Sequence, residues 1–195
     1  MTAPLYSSPA TSAFTIALTQ PSSLAVSAVV RVLIVCTGNI CRSPTGEGVL
    51  RALVERHGLS SQIEVRSAGT HDYHVGEGPD SRSVRHAKNR GYDLTALRAS
   101  QVSREDFLRN DYILAMDRGH LRILRHMAPP GATARLGLFL EASGQWKGED
   151  VPDPYYGGPE GFEQVLDMVE EAAQRWLERI VGDMDPARFR LQGAR

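Results

Sequence analysis

The sequence predicts an α/β fold, a three-layer sandwich in which helices cover both faces of a parallel sheet. Short apolar stretches of the kind that form buried strands alternate along the chain with segments of helical periodicity. Such alternation calls for parallel strands joined by right-handed crossovers, with the helices packed on the two faces. A chain of 195 residues is long enough for one domain with a substantial core.

The first strand is predicted at 31–36, because its continuous apolar run suits a strand that is covered on both faces. A helix should follow, with Ser43 as its N-cap and Pro44 in its first turn. Apolar residues at helical spacing carry this helix as far as Val54, and Gly58 ends it.

The rest of the chain continues the alternation. Further strands are predicted at 63–67, 111–116 and 134–140, and further helices at 80–90, from 103, at 119–127 and from 162 to 180. Three residues stand at or just after the ends of predicted strands: Cys36, Ser67 and Asp117. In parallel sheets ligands bind beyond the carboxyl ends of the strands, so these residues are candidates for a site.

The composition excludes several classes of partner. Hydrophobic residues make up 42% of the chain and charged residues 23%, with a net charge of −1, which is ordinary for a soluble globular protein. We therefore expect neither nucleic-acid nor membrane binding, and no apolar run is long enough to span a bilayer. Cys36 and Cys41 are too few for a disulfide framework, and no second Cys/His pair completes a zinc site, so no metal or other cofactor is expected.

Residues 1–30 contain no charged residue and so lack the basic features of a secretory or mitochondrial signal. We predict that they form a flexible extension or lie upstream of the natural start, although apolar residues at 14–18 leave open a segment docked on the domain. The domain itself is expected at 31–182, with a C-terminal tail at 183–195. A cytoplasmic location is expected, with non-classical export left open.

The segment from Cys36 to Ser43 reads Cys-Thr-Gly-Asn-Ile-Cys-Arg-Ser and lies at a predicted strand-to-helix turn. Backbone N–H groups of residues 37 to 42 can surround one tetrahedral anion, helped by the positive potential of the helix N-terminus. The same groups stabilise a thiolate at Cys36, and Arg42 offers a planar fork to two phosphate oxygens. The segment therefore predicts a phosphate loop that holds a nucleophilic sulfur.

Within this loop, Gly38 should supply the conformational freedom for the curl, and Asn39 is expected in the left-handed region. Ser43 can donate to the sulfur, above all when the sulfur becomes a leaving group. A Walker-type phosphate loop is excluded because no Gly-Lys-Ser/Thr follows. A Cys-x5-Arg spacing also arises by chance, but its place between a buried strand and a helix start argues against coincidence.

Expulsion of an alkoxide or phenoxide requires a proton donor, and Asp153 is the best candidate. A proline on each side stiffens the backbone around Asp153. Tyr155 and Tyr156 follow and can wall an aromatic substrate. Without Cys36, the same segment would be interpreted as a polar turn with exposed tyrosines.

The chain resembles the low-molecular-weight protein tyrosine phosphatases, in a bacterial-type form. The resemblance rests on the loop from Cys36 to Pro44 and on the segment Asp153-Pro-Tyr-Tyr156. Shorter matches lie between them in the same order: Ser67-Ala-Gly-Thr70, Val75-Gly76, Gly91-Tyr92-Asp93, Arg98-Ala99 and Met116-Asp117. The match covers residues 31 to 181 and leaves the N-terminal extension outside.

The resemblance implies a four-stranded parallel sheet and a metal-free, two-step hydrolysis of phosphotyrosine and small aryl phosphates. Cys36 would attack phosphorus while Asp153 protonates the phenolate. Water would then hydrolyse the phosphocysteine with Asp153 as base, and Arg42 would stabilise charge in both steps. The implied partners are tyrosine-phosphorylated proteins, and a monomer or weak dimer is expected.

The resemblance also implies which residues surround the substrate. They are Thr37, Gly38, Asn39, Ile40, Cys41, Ser43, Tyr73, Tyr155 and Tyr156, with Ser67 and Asp117 behind the loop. Tyr73 can instead be a plain surface tyrosine, and Asp117 a solvated carboxylate. Cys41 either traps oxidised Cys36 as a disulfide or simply packs in the loop.

One departure concerns the segment from Leu97 to Gln101, where many family members carry a histidine that braces the loop asparagine. We predict modestly weaker bracing here, with Ser67 still able to reach Asn39. The histidines show no metal-ligand spacing. Three of them are expected at the surface: His71, His74 and His120.

Three other functions are compatible with parts of this pattern. Arsenate reductases share the fold, but their redox relay requires cysteines beyond position 41. Protein-arginine phosphatases carry threonine where this chain has Ile40, and an apolar residue suits a flat aromatic ring. A non-catalytic phosphate-binding module would be expected to lack Cys36, Arg42 or Asp153, and all three are present.

Overall fold

The computed structural model describes residues 29–184. Residues 1–28 of the extension predicted at 1–30, and residues 185–195 of the tail predicted at 183–195, lie outside the described residues. The described strands are β1 (Val30–Cys36), β2 (Ile63–Gly69), β3 (Tyr112–Ala115) and β4 (Arg135–Leu138). The described helices are α1 (Arg42–Arg56), α2 (Ser81–Asn89), α3 (Asp106–Arg109), α4 (Arg118–Met127) and α5 (Pro159–Met184). A 3₁₀ turn, Phe139–Ala142, follows β4.

The strands form one parallel, four-stranded sheet in the order β2-β1-β3-β4, which confirms the predicted fold class. From β1 the chain crosses to β2 on one side and later to β3 on the other. The carboxyl end of β1 is therefore the point at which the strand order reverses, where ligands bind in open parallel sheets. Cys36 is the last residue of β1 and pairs with Gly69 of β2.

Helices cover both faces of the sheet. Val32 and Ile34 of β1 belong to the core formed with α1, α2 and α5, whereas Leu33 and Val35 belong to the core formed with α3 and α4. These four side chains are fully buried, as expected for a continuous apolar strand that is covered on both sides. The local sequence therefore explains why β1 is central and why its end is held rigidly.

Helix α1 begins at Arg42, and the prediction that Ser43 is its N-cap is wrong. Cys41 occupies the N-cap position, and no side chain caps the helix. The Ser43 hydroxyl lies instead 3.0 Å from the Cys36 sulfur. The Ser-Pro pair does mark the first turn, but the curl of the preceding loop directs the serine to the sulfur.

The predicted strand at 134–140 is wrong at its last two residues, where the 3₁₀ turn replaces it. Phe139 and Leu140 are both buried in the core that includes α5. Consecutive side chains of a strand point to opposite faces, whereas a turn can direct both toward the same helix. The Nε1–H of Trp176 donates to the Phe139 carbonyl at 2.7 Å, which ties the turn to α5.

The helix predicted from 103 begins only at Asp106, so that start is wrong, whereas the predicted ends of α1 and α2 agree with the structure. Gly58 and Gly91 follow α1 and α2 with φ of 67° and 86°, as expected for glycines that end helices. Asp80 caps α2 by accepting the backbone N–H of Arg82 at 2.8 Å. Within 29–184, no helix combines the length and apolar character needed to cross a bilayer.

Candidate active site

Cys36 lies at the carboxyl end of β1, in the wall of a pocket of about 230 Å³. Only 3% of this residue is exposed, and its sulfur is 3.0 Å from the Ser43 hydroxyl. Residues 37–41 connect the strand to α1, so the positive end of the helix dipole lies beside this phosphate loop. The sulfur therefore lies close to the positive end of the helix dipole and to a hydroxyl group.

The phosphate loop keeps its backbone donors free. The N–H groups of residues 37 to 42 donate to no acceptor within 29–184. Unpaired N–H groups at a helix N-terminus form a ready site for an anion. The loop therefore has the donors that a bound phosphoryl group requires.

The shape of the loop depends on one left-handed residue and two close approaches. Asn39 has φ of 57°, which confirms the predicted left-handed conformation. The prediction that Gly38 supplies conformational freedom is wrong, because its φ is not positive. A Cβ at Gly38 would lie 2.9 Å from Cδ2 of His74, and one at Gly69 would lie 2.6 Å from the Thr37 carbonyl oxygen. Backbone atoms leave no room for a side chain at Gly69, whereas a side chain at Gly38 would require His74 to move.

The side chain of Asn39 braces the loop from inside. Its Nδ2 donates to Ser43 Oγ and to Ser67 Oγ, each at 2.8 Å. Its Oδ1 accepts the backbone N–H of Ser100 at 2.9 Å. Ser67 in turn donates to the buried Glu47 Oε2 at 2.6 Å. The predicted contact between Ser67 and Asn39 is confirmed.

Leu97 lies in the segment where many family members carry a bracing histidine, and here it packs against the hydrophobic core. The backbone N–H of Ser100, from the same segment, bonds the Asn39 oxygen instead. The loop asparagine therefore keeps a full set of partners. The predicted weakening of the loop has no counterpart in these hydrogen bonds, and its effect on activity stays a prediction.

Arg42 lies between two carboxylates although only 4% of the residue is exposed. Its Nη1 donates to Asp117 Oδ2 at 2.9 Å and to the Val151 carbonyl at 3.3 Å. Its Nη2 donates to Asp153 Oδ2 at 2.7 Å. One nitrogen of the guanidinium is thus bonded to Asp117, which caps a helix, and the other is bonded to Asp153, which lies in a loop.

Asp117 is the fixed member of this pair of carboxylates. It caps α4, with Oδ1 accepting the backbone N–H of His120 at 2.8 Å. Burial alone would raise the pKa of Asp117, but the nearby His120 ring, the backbone N–H of His120 and the charge of Arg42 outweigh it and hold this pKa well below its usual range. Asp117 is therefore a permanent negative charge behind Arg42.

Asp153 is the more exposed of the two carboxylates, with 44% of its side chain exposed against 23% for Asp117. Its Oδ1 accepts the backbone N–H of Tyr155 at 3.1 Å, which fixes the local turn. The N–H of Val151 donates to the Met116 carbonyl at 2.9 Å and attaches this loop beside the end of β3. The fold thereby brings Asp153 to a loop that lies more than a hundred residues earlier in the chain.

Aromatic side chains line the mouth of the pocket. Tyr73 and Tyr156 are 66% and 93% exposed, and Tyr155 is 40% exposed. Tyr73 stacks on His71 with ring centroids 4.9 Å apart. The residues that line the pocket are Cys36, Thr37, Gly38, Ile40, Cys41, Arg42, Tyr73, His74, Asp153, Tyr155 and Tyr156. Tyr73 is therefore both a surface residue and a pocket residue.

Cys41 lines the same pocket but is 5% exposed. Burial raises the pKa of the Cys41 thiol to about 12, so this sulfur stays protonated at neutral pH. Both cysteines are free thiols in the structure. Of the two, Cys36 is the one whose surroundings include the helix N-terminus and the Ser43 hydroxyl.

His120 was predicted at the surface, and that prediction is wrong. Only 4% of the residue is exposed, and its Nε2 lies 2.8 Å from the hydroxyl of Thr37, the first residue of the phosphate loop. The available signal was its place three residues after Asp117, because side chains at i and i+3 share a face of a helix. Glu47 was missed as well, although an acidic residue between two glycines of α1 is an unusual choice for a buried helix face.

The start of α2 joins the phosphate loop to the Asp153 loop. The N–H of Asp80 donates to the Ile40 carbonyl at 2.8 Å. Arg82, which bonds the Asp80 carboxylate, also donates to the Tyr155 carbonyl at 3.0 Å. This link was not predicted, since nothing in the local sequence indicates which loops α2 will touch.

Comparison with known proteins agrees with this geometry. The family model described as low molecular weight phosphotyrosine protein phosphatase matches residues 31–185. A low molecular weight protein-tyrosine-phosphatase of Streptomyces coelicolor is 47% identical over 153 residues, which cover 77% of this chain and 93% of that protein.

Solved structures give the same result. A protein tyrosine phosphatase from Entamoeba histolytica, with Hepes in its active site, superposes with a TM-score of 0.76 at 35% identity, covering 79% of this chain and 98% of that one. A Drosophila protein described as an arginine phosphatase superposes with a TM-score of 0.72 at 35% identity, covering 76% and 96% of the two chains.

Proposed function

The chain belongs to the low molecular weight phosphotyrosine protein phosphatase family, and we propose that Cys36, Arg42 and Asp153 carry out its reaction. The protein is a protein-tyrosine-phosphatase, a hydrolase that acts on phosphoproteins. The observation that carries the residue assignment is the 2.7 Å contact between Arg42 and Asp153 in the pocket that Cys36 lines. A thiol, a phosphate-binding cation and a proton donor are thereby within reach of one substrate.

In the first step the Cys36 thiolate attacks phosphorus in line with the phenolic oxygen. The S–P bond forms as the P–O bond breaks, and Asp153, in its protonated form, gives its proton to the leaving phenolate. The free N–H groups of residues 37 to 42 and the guanidinium of Arg42 stabilise the equatorial oxygens. Catalysis is largely positioning and charge stabilisation.

Substrate binding requires a change at Arg42. In the ligand-free site Nη2 is bonded to Asp153 and Nη1 to Asp117. A phosphoryl dianion that takes the Nη2 donor displaces Asp153, whose exposed side chain takes up a proton from solvent and is free to turn toward the leaving oxygen. The Asp117 contact remains, so the guanidinium keeps its place while one of its partners is exchanged.

In the second step water attacks the phosphocysteine. Asp153, now ionised, accepts the proton of the water, and the S–P bond breaks to release phosphate. Ser43 Oγ, 3.0 Å from the sulfur, donates to the departing thiolate and lowers the cost of expelling it. Asp153 then releases this proton to solvent and pairs again with Arg42, which returns the site to its starting state.

For the substrate, we assign tyrosine-phosphorylated proteins. Ile40 and three tyrosines line the pocket, which suits a flat aromatic ring better than a polar guanidine. The similarity to a protein described as an arginine phosphatase favours phosphoarginine as a second candidate. A panel of matched phosphotyrosine, phosphoarginine and phosphoserine peptides distinguishes them, and a higher kcat/KM for phosphoarginine would overturn the assignment. A monomeric or weakly dimeric state and a cytoplasmic location stay predictions.

The direct test of the residue assignment is to trap the covalent intermediate. Rapid quench of the full chain with an aryl phosphate, followed by mass spectrometry of peptides, should find one phosphoryl group on Cys36. Cys36→Ser should lose turnover while inorganic phosphate still binds. Cys41→Ser serves as the matched thiol control and should still form the phosphoenzyme. A phosphoryl group on any other residue would contradict the mechanism.

A further inference from the structure

We propose that His120 is a positioning residue that keeps Arg42 and the phosphate loop aligned while Asp153 moves between its ion pair and the leaving group. The inference rests on the proposed function, because it concerns the same site and the same exchange of partners at Arg42. It assigns a role to a residue that touches neither the substrate nor the reacting sulfur.

The observation is a closed ring of four side chains around one side of the site. Arg42 Nη1 donates to Asp117 Oδ2 at 2.9 Å, and the other oxygen, Oδ1, lies 3.0 Å from His120 Nδ1. His120 Nε2 lies 2.8 Å from Thr37 Oγ1. The ring closes where Arg42 Nη2 approaches the same Thr37 oxygen at 3.5 Å.

The ring has a natural proton arrangement. With a hydrogen on Nδ1 directed toward the Asp117 carboxylate, Nε2 accepts the Thr37 hydroxyl hydrogen. The Nδ1 and Oδ1 atoms are close but not aligned for a directed hydrogen bond, so that contact is mainly electrostatic. The Thr37 oxygen then remains an acceptor for Arg42.

The ring matters at the moment when Asp153 leaves. Arg42 Nη2 has a short bond to Asp153 and only a long contact to Thr37. Once the carboxylate has left, the protein groups that still hold the guanidinium are Asp117, the Val151 carbonyl and Thr37. Apart from Arg42 itself, His120 is the ring residue that touches two of these groups, and it also holds the side chain of Thr37, the first residue of the phosphate loop.

A purely structural role for His120 is the competing explanation. A buried histidine whose only task is to fill space would face apolar groups, whereas both nitrogens of this ring face side chains that contact Arg42. The two explanations differ in what they predict. Loss of packing lowers the stability of the fold, whereas loss of alignment weakens binding of the transition state more than binding of the phosphate product.

The test compares ligands that differ in geometry. His120→Leu keeps a similar volume and removes both polar contacts. We expect kcat/KM for an aryl phosphate to fall about tenfold, the factor that one net hydrogen bond supports. Orthovanadate, a trigonal-bipyramidal mimic of the transition state, should bind about tenfold more weakly, whereas the affinity for inorganic phosphate changes less than about twofold.

Two further variants separate the contacts, and one serves as control. His120→Gln can still reach Thr37 and should recover most of the vanadate affinity, whereas His120→Asn is too short and should resemble His120→Leu. His126→Leu, on the exposed side of the same helix, should leave both affinities unchanged. Only the folded molecules bind vanadate or phosphate, so the ratio of the two affinities does not depend on the folded fraction. A partly unfolded variant therefore still tests the proposal.

A double-mutant cycle completes the experiment. Thr37→Val and His120→Leu should each weaken vanadate binding, and the loss in the double variant should be clearly smaller than the sum of the two single losses, because both variants remove the Thr37–His120 contact. Additive effects, or equal losses of vanadate and phosphate affinity, would overturn the positioning role. Either of these contradicting results leaves the proposed function intact if the wild type still forms phosphocysteine at position 36. If no phosphocysteine forms in the wild type, the proposed function itself is wrong.

Discussion

Asp153→Asn should change two properties of the site in opposite directions. Asparagine keeps the size of the side chain and an oxygen for the Tyr155 N–H, which lies 3.1 Å from Oδ1. It removes the proton that we assign to the leaving group. It also removes the negative charge that lies 2.7 Å from Arg42 Nη2.

The rate should fall because no other group replaces the proton donor. General acid catalysis contributes about 100-fold or more, so kcat/KM for phenyl phosphate should drop by at least that factor. In free energy this is about 2.7 kcal/mol of transition-state stabilisation. For a dinitrophenyl ester, whose leaving group needs no proton, the loss should be only a few-fold.

The affinity for inorganic phosphate should rise. The ion pair joins an Arg42 side chain that is 5% exposed to an Asp153 side chain that is 44% exposed. Solvent therefore screens it, and a pair of this kind contributes roughly 0.5–1 kcal/mol. Phosphate no longer has to displace the carboxylate, so its inhibition constant should fall about two- to fivefold.

The assay is steady-state kinetics on a series of aryl phosphates, with inorganic phosphate as competitive inhibitor. Asp150→Asn is the matched control, because Asp150 lies in the same loop and pairs with Arg118 at 2.9 Å instead. That variant should stay within about twofold of the wild type in both measurements. Unchanged turnover of phenyl phosphate by Asp153→Asn would refute the acid assignment, and weaker phosphate binding would refute the ion-pair argument.

Three other outcomes are expected. Because the folded-state pKa of Asp117 is depressed, its stabilisation is present at neutral pH and is lost as the pH falls. Asp117→Asn should therefore lower the free energy of unfolding in urea by about 2 kcal/mol at pH 7. This difference between the variant and the wild type should shrink below a pH of about 4, and a difference that does not change with pH would contradict the prediction. Asn39→Ala removes three hydrogen bonds and strains a left-handed position, so the melting temperature and kcat should both fall, with the free energy of unfolding about 2–3 kcal/mol lower. Asn39→Gly removes the same hydrogen bonds without the backbone strain, so comparing the two variants separates the two effects. An alanine variant as stable as the wild type would show that the hydrogen bonds of Asn39 are dispensable. Removal of residues 1–28 should leave the melting temperature and the rate unchanged, and a lower melting temperature would show that this segment docks on the domain.

The parts of the site that lie close together in the chain were predictable. Cys36 and Arg42 belong to one strand-turn-helix unit, so their spacing alone indicates a phosphate loop, and Asn39 in the left-handed region follows from the curl that such a loop requires. Asp153 was found through its flanking prolines and tyrosines together with the family resemblance. The local sequence does not reveal its distance from Arg42.

Contacts between distant parts of the chain were not predictable in the same way. The role of His120 depends on α4 starting beside the phosphate loop, and the close approach of His74 to Gly38 depends on how the loop after β2 returns over the site. Both follow from the order of strands in the sheet. A hydrophobic pattern shows that a residue is in a strand or helix, but it does not show which neighbour that element will have.

The amino-acid sequence by itself determined the fold class, the sulfur and the phosphate loop, because periodicity and short-range spacing are properties of neighbouring residues. The tertiary structure alone decided that Arg42 lies between Asp117 and Asp153 and that His120 closes a ring with Thr37. These side chains are separated by many residues, and only the packing of β1 between β2 and β3 brings them within hydrogen-bond distance.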